Sequence, residues 1–374
     1  MNVSDNKSVY TDTKQHYAIL DGLRGVAAIL VVIFHVFESH ATSRFDQIVN
    51  HGYLAVDFFF VLSGFVIGYA YNDRWGSMTL SGFAKRRLIR LHPMIIIGMV
   101  IGAVLFYFQG GEFFPLIQNT APLEMLVITL IGMTLIPVTP AMDIRGWQEM
   151  YPLNGPAWSL FFEYAANILC ALVLRKLSNR VLGILLFFAA CSTIHLAIFT
   201  DKGDVIGGWS FNFEQLHIGI VRLAYPFLAG LLLSRVFTPG RIKHAFLFCS
   251  LALIGVLSFP RIGDPTTPWA NGVYDAIVIL LVFPGIVAIG ASGSLRSQFS
   301  RKLSGFLGNI SYPIYIVHYP LVYIHLEWVH CTDPEAMLAV PVAAGIVLLS
   351  LLLAYMSLKL YDIPVRRWLN QRLN

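Results

Sequence analysis

The chain has 374 residues, 56% of them hydrophobic and only 13% charged, with a formal net charge of +5 and a mean hydropathy of +0.67. Soluble domains carry about 25% charged residues, so a water-soluble globular fold is excluded and an all-α polytopic membrane protein is indicated. The basic balance points to Lys and Arg in cytoplasmic loops, not to a nucleic-acid partner. The four cysteines, Cys170, Cys191, Cys249 and Cys331, form no CxxC pair, so neither a disulfide framework nor a metal site is expected.

Residues 1–16 are polar and are expected to form a cytoplasmic N-terminal tail. The first apolar run, 17–37, contains "LDGLRGVAAILVVIFHV" with Asp21, Arg24 and His35. It is too long and too charged for a cleaved signal peptide and reads as a retained span. Further runs long enough to cross about 30 Å of hydrocarbon lie at 53–71, 92–108, 156–174, 181–199, 217–234, 244–259, 272–290, 306–326 and 339–360. An eleventh, "LEMLVITLIGMTLIPV" at 123–138, is shorter and ends in "PVTP". If it does not cross and the N-terminus is cytoplasmic, most of the 26 Lys and Arg, from Lys7 and Lys14 to Arg366, Arg367 and Arg372, fall on the cytoplasmic side. The outer loops then keep only Arg44, Arg145, Lys202 and Arg261. A crossing there would destroy this bias. The expectation is therefore about ten transmembrane helices in one domain (17–362), with a re-entrant or interfacial helix at 123–138. A cytoplasmic C-terminal tail (363–374) follows, with both termini cytoplasmic in a cell (inner) membrane.

Orientation converts the intramembrane charges into depths. The outer half of the bundle is expected to hold His35, Asp57 of "YLAVDFFFVLSGF", Glu163 of "GPAWSLFFEY", Arg222, and His318 of "SYPIYIVHYPL". Arg24 lies eleven residues before His35, about 16 Å closer to the cytoplasm. At the inner mouth of the third span, "FAKRRLIRLHP" carries Lys85, Arg86, Arg87, Arg90 and His92. Arg90 shares a helical face with both Arg86 and Arg87. Ionisable side chains at the centre of a membrane helix cost roughly 2.5–3.5 kcal/mol each on insertion scales, which makes them functional candidates. Plainer roles exist for each. Asp21 and Arg24 form a helix-end ion pair, the 85–90 run anchors a cytoplasmic loop, Glu163 is a packing partner that Arg222 pairs with, and His35 is a structural histidine. His16, His40, His51, His325 and His330 lie near surfaces.

Taken together and in order, these stretches resemble the bacterial transmembrane acyltransferase-3 family, as does the closing "YDIPVRRWL", where an acidic residue precedes x-Pro. The resemblance runs from residue 20 to about 369. It implies O-acyl transfer, usually of acetyl, from a cytoplasmic acyl-CoA donor to a hydroxyl of a carbohydrate or lipid-linked glycan. No permanently bound cofactor is implied; acetyl-CoA is a co-substrate. Arg24 and His35 match the family's Arg and His of the first helix, Asp57 its acidic residue before "FFVLSGF", Arg87 and Arg90 its R-x-x-R, Glu163 the Glu after Trp-Ser-Leu, and His318 the His after Ser-Tyr. Some members continue into an esterase-fold domain of the SGNH type. This sequence does not, so either it acts alone or a separate periplasmic protein completes delivery.

An alcohol needs a base to attack a thioester at neutral pH. Histidine titrates in that range, so His35 is the expected base and Asp57, at similar depth on the next helix, its orienting carboxylate. Glu163 and His318 are further catalytic candidates. Arg86, Arg87 and Arg90 are expected to hold the donor's phosphates, with the pantetheine arm threading past Arg24, and Arg222 is a further donor-binding candidate. Direct transfer and an acyl-enzyme route both remain open. A transporter or flippase of a glycan or acyl group is the alternative from another class, but no inverted repeat argues for it. A receptor or scaffold would need neither the basic mouth nor the His–acid pair.

Overall fold

The computed structural model describes residues 16–76 and 78–373. The expected N-terminal tail, with Lys7 and Lys14, lies outside the described residues apart from His16. The chain is helical throughout: α1 (Ala18–Glu38), α2 (Ala55–Tyr71), α3 (Leu80–Leu105), α4 (Pro115–Asn119), α5 (Pro122–Met133), α6 (Ala157–Leu172), α7 (Asn179–Ile198), α8 (Phe213–Val236), α9 (Ala245–Leu257), α10 (Trp269–Ile277), α11 (Phe283–Ala291), α12 (Gln298–Val317), α13 (Tyr319–Thr332), α14 (Ala336–Met356) and α15 (Ile363–Leu373). Among the described residues, eight helices are long and apolar enough to cross a membrane. The remaining two expected runs fall on α9 and on the α12–α13 junction, so all ten occupy helices. The protein is a multi-pass membrane protein.

Two expected boundaries move. The third helix starts at Leu80, not 92, so the basic run lies inside it. Thr79 caps it by accepting a hydrogen bond from the Gly82 amide, and Lys, Arg and Leu are good helix formers. The C-terminal segment is also helical. The stretch Ser357–Asp362 is π-helical and joins α14 to α15, just as Val278–Val282 joins α10 to α11. Each π stretch ends two residues before a proline, Pro364 or Pro284. Proline cannot donate to the preceding turn and its ring clashes with it, so the helix widens instead of breaking.

α1 and α2 are central. The most apolar window of α2 is 72% buried, against 17% for that of the α14–α15 run. α7 and α14 present Phe187, Phe188, Leu348 and Leu352 outward, as lipid-facing helices should. Small residues let the central helices close in. A Cβ on Gly25 of α1 would collide with the carbonyl oxygen of Leu307 on α12, and one on Gly230 of α8 with that of Val61 on α2. α5 has twelve residues, about 18 Å of rise, too short for a hydrocarbon core of about 30 Å. Its Leu123, Leu126, Val127 and Leu130 face outward, which suits an interfacial helix. The segment 109–155 that contains it is pinned by buried Arg145. Its Nη2 donates to Gln109 Oε1 at 2.7 Å, its Nε donates to the Pro152 carbonyl at 2.9 Å, and its guanidinium lies 3.4 Å from the ring centre of Tyr323.

Candidate active site

A cavity of about 560 Å³ enters the bundle from the end where α1 begins and α14 finishes, between α1, α2, α3, α6 and α12. Its wall carries Arg24, Arg87, Arg90 and Glu163, with Ser159 and Tyr315 at its far end. Arg24 donates to Ser311 Oγ from Nε (3.0 Å) and to Asp21 Oδ1 from Nη2 (2.8 Å). The helix-end pairing read for Asp21 and Arg24 is therefore present, and it leaves Arg24 on the cavity wall. Arg87 Nη2 donates to Glu163 Oε1 at 2.8 Å, and Ser63 Oγ donates to the same oxygen at 3.0 Å. Arg87 Nε is buried with no hydrogen-bond partner among the described residues. A buried guanidinium donor left open costs free energy, and the residue that carries it lies on the cavity wall. Arg90, one turn on, has no ion-pair partner within 4.0 Å among the described residues.

The cavity does not reach His35. It ends at Phe59 and Tyr315, whose rings meet edge-on at 5.5 Å. Tyr315 is also hydrogen-bonded through its hydroxyl to Ser159 Oγ at 2.7 Å. Beyond this aromatic layer lies His318, its ring 6.1 Å from Tyr315 and stacked on His35 at 5.6 Å. The expected path of the pantetheine arm is thus interrupted by packed rings, and the two histidines lie just past the cavity's blind end.

Each ring nitrogen can be assigned from its partner. His318 sits at the α12–α13 bend, fully buried, with Nδ1 3.0 Å from the Ile314 carbonyl. A carbonyl only accepts, so Nδ1 carries the proton and Nε2, which is buried without a partner, carries the lone pair. His35 Nδ1 lies 3.1 Å from Glu38 Oε2, which likewise leaves Nε2 free to accept. Tyr319 packs edge-on against His35 at 4.8 Å and against Tyr323 at 4.6 Å. Tyr323 donates to Glu149 Oε2 at 2.5 Å. Burial pushes the Glu149 carboxyl up to about 7, against the opposing pull of Arg145 and the Tyr323 hydroxyl.

Three expected roles change. Asp57 does not face His35. It is fully buried against Arg222, whose Nη2 donates to Oδ2 at 2.6 Å. Arg222 in turn donates to the carbonyls of Tyr53 (2.7 Å) and Gly207 (3.2 Å). With its donors so engaged, Arg222 cannot serve a donor molecule, and it does not pair with Glu163. Arg86, about 100° round the helix from Arg87, is exposed and absent from the cavity wall. The carboxylate within hydrogen-bond reach of His35 is Glu38, one turn later on the same helix. Its i, i+3 spacing was the available signal, obscured because Glu38 reads as an ordinary polar helix end. His51 and His325, expected near surfaces, are buried; the first is held by Asn271 and the second faces His40.

Comparison with known proteins adds a lineage to this geometry. The family model for the acyltransferase domain matches residues 17–357. A Rhizobium radiobacter protein called protein 2 in the picA locus is 33% identical over 164 residues, 42% of this chain and 82% of that protein. A Staphylococcus aureus protein named as an O-acetyltransferase is 24% identical over 93% of this chain and 57% of its own length. The peptidoglycan O-acetyltransferase OatA of Listeria monocytogenes is 23% identical over 95% of this chain and 56% of its own. The chain thus spans little more than half the length of the named O-acetyltransferases. No solved structure matches it.

Proposed function

Because the chain belongs to the acyltransferase family whose domain covers residues 17–357, we propose that it is a membrane O-acyltransferase. In this reading it moves an acetyl group from acetyl-CoA to a glycan or glycolipid hydroxyl, with the donor entering from the cytoplasm. The observation that carries this reading is the juxtaposition at the two ends of one cavity. Open arginine donors line it, and a paired imidazole stands just beyond its blind end.

Arg87 Nε and Arg90 are suited to the donor's phosphates, because charge-assisted bonds to phosphate are the strong ones. Arg24 and Ser311 flank the path of the pantetheine arm. The thioester would then arrive at Tyr315 and Phe59, and rotation of these rings admits it to the histidines. His35 is the base. When it takes the hydroxyl proton it becomes an imidazolium, and Glu38 stabilises that charge as the carboxylate of a triad does. His318 has no carboxylate; anchored through Nδ1 to the Ile314 carbonyl, it stacks on the His35 ring and holds it in place, and the proton His35 takes is the one it later gives to the leaving thiolate. The hydroxyl oxygen bonds to the acyl carbon, the C–S bond breaks, and the coenzyme thiolate leaves and takes a proton. Direct transfer of this kind needs no acyl-enzyme.

The acceptor is read as a glycan because one relative is named for acting on peptidoglycan. The test is base-labile acetate on envelope glycans in cells lacking the gene and supplied with wild type or His35→Gln. The variant should enter the membrane at normal levels and restore none of the acetate. Full restoration by the variant would remove His35 as the base.

A further inference from the structure

One wall of the cavity is supplied by neither the basic run of α3 nor α1. Lys359, Asp362 and Arg366 line it from the α14–α15 turn. Their spacing of three and four residues puts them on one helical face, and the π-helical widening before Pro364 sets where that face points. Asp362 is buried. Its Oδ2 accepts from Arg366 Nη1 at 3.2 Å, and its Oδ1 is buried with no partner among the described residues. The Arg366 side chain remains 41% exposed. This cluster therefore places two cations on the cavity wall with a buried, unpartnered carboxylate oxygen between them, whereas Arg87 is already held by Glu163.

A ligand satisfying all three groups carries an anionic group beside a hydroxyl or amine donor, a combination that a phosphorylated ribose offers. We propose that Lys359, Asp362 and Arg366 form the subsite for the 3′-phosphorylated adenosine of coenzyme A. Arg366 and Lys359 hold the 3′-phosphate, and Asp362 Oδ1 accepts a hydrogen bond from the ribose 2′-hydroxyl or the adenine amino group. Arg87 and Arg90 are then left for the pyrophosphate further in. The assignment rests on the donor being a coenzyme A thioester. It makes the last helix turn the element that distinguishes coenzyme A from a bare pantetheine carrier.

The experiment is calorimetric titration of the full chain, in phosphatidylcholine nanodiscs, with coenzyme A, 3′-dephospho-coenzyme A and pantetheine. Wild type should bind coenzyme A more tightly than the dephospho form. Arg366→Gln should weaken coenzyme A on the order of tenfold and the dephospho form by less than about twofold. Arg366→Lys should recover most of the loss. Asp362→Asn should weaken both nucleotides and leave pantetheine unchanged. Equal losses for all three ligands, or none for any, would overturn the subsite while leaving the donor reading intact. Wild type that binds no coenzyme A would overturn the donor reading and the subsite with it. Loss of the preference for the 3′-phosphate in phosphatidylglycerol nanodiscs would mark the cluster as a lipid-headgroup site and overturn it too.

Discussion

At the scale of single residues, the chemistry turns on which carboxylate holds which cation. Glu38, half exposed at the end of α1, is the partner of His35; Asp57, fully buried, belongs to Arg222. The two acids therefore fail differently when changed. Glu38→Gln leaves the proposed base in place without its stabilising charge, so kcat should fall by roughly one to two orders of magnitude, at the lower edge of what acid–base groups contribute. Thermal stability should be unchanged. Asp57→Ala strands a buried guanidinium and should cost about 3–5 kcal/mol. Adding Arg222→Met should return much of that loss, because an apolar pair of similar volume is often as stable as a buried ion pair. Thermal unfolding of the purified single and double variants in detergent checks both. A stable Asp57→Ala protein with collapsed kcat would restore Asp57 to the active site.

At the scale of elements, much of the architecture was legible because hydropathy and charge bias act on whole helices. Each of the ten apolar runs became helix, and 123–138 became the short α5. Side-chain partnership was not legible at this scale. Depth along a helix does not give contact: rotation about the helix axis decides it and turned Asp57 toward α8, and Glu163, expected in the outer half with His35, pairs instead with Arg87 of the basic run. Likewise Arg86 and Arg87 are adjacent in sequence and on different sides of α3. The π stretch before Pro364 was equally hidden; a proline announces a disturbed helix but not which residues the disturbance aims inward.

The segment 109–155 carries a titratable latch of its own. Glu149 ties this segment to α13 through Tyr323, and its carboxyl is raised from 4.5 to about 7. The closed segment keeps this proton over that window and the opened one loses it, so closure is most stable below about 4.5 and weakens as pH rises through about 7. The difference is on the order of 3 kcal/mol. Hydrogen exchange of peptides from 109–155 should therefore quicken between pH 5 and 8 beyond the intrinsic chemical trend. Glu149→Gln should flatten that dependence. An unchanged pH response in the variant would place the titrating group elsewhere.

For the whole molecule, the arrangement answers why a membrane helix carries charges at all. Each cavity-lining arginine except Arg90 has an acidic partner, which lowers the cost of burial, yet Arg87 keeps an unused donor. The fold holds a polar space open at one end and closes it with Phe59 and Tyr315 before the histidines. In the proposed reaction the closed aromatic layer would exclude water from a thioester until an acyl group displaces the rings. The central claim is that the donor lies lengthwise, nucleotide at the arginines and acyl end at the histidines. Photo-crosslinking with a coenzyme A thioester bearing a diazirine on its acyl chain measures this directly. Adducts should map to the segments containing Phe59, Tyr315 and His318 and disappear in an Arg87→Gln, Arg90→Gln variant. Adducts on the lipid-facing surfaces of α7 or α14, or a pattern indifferent to those two arginines, would contradict it.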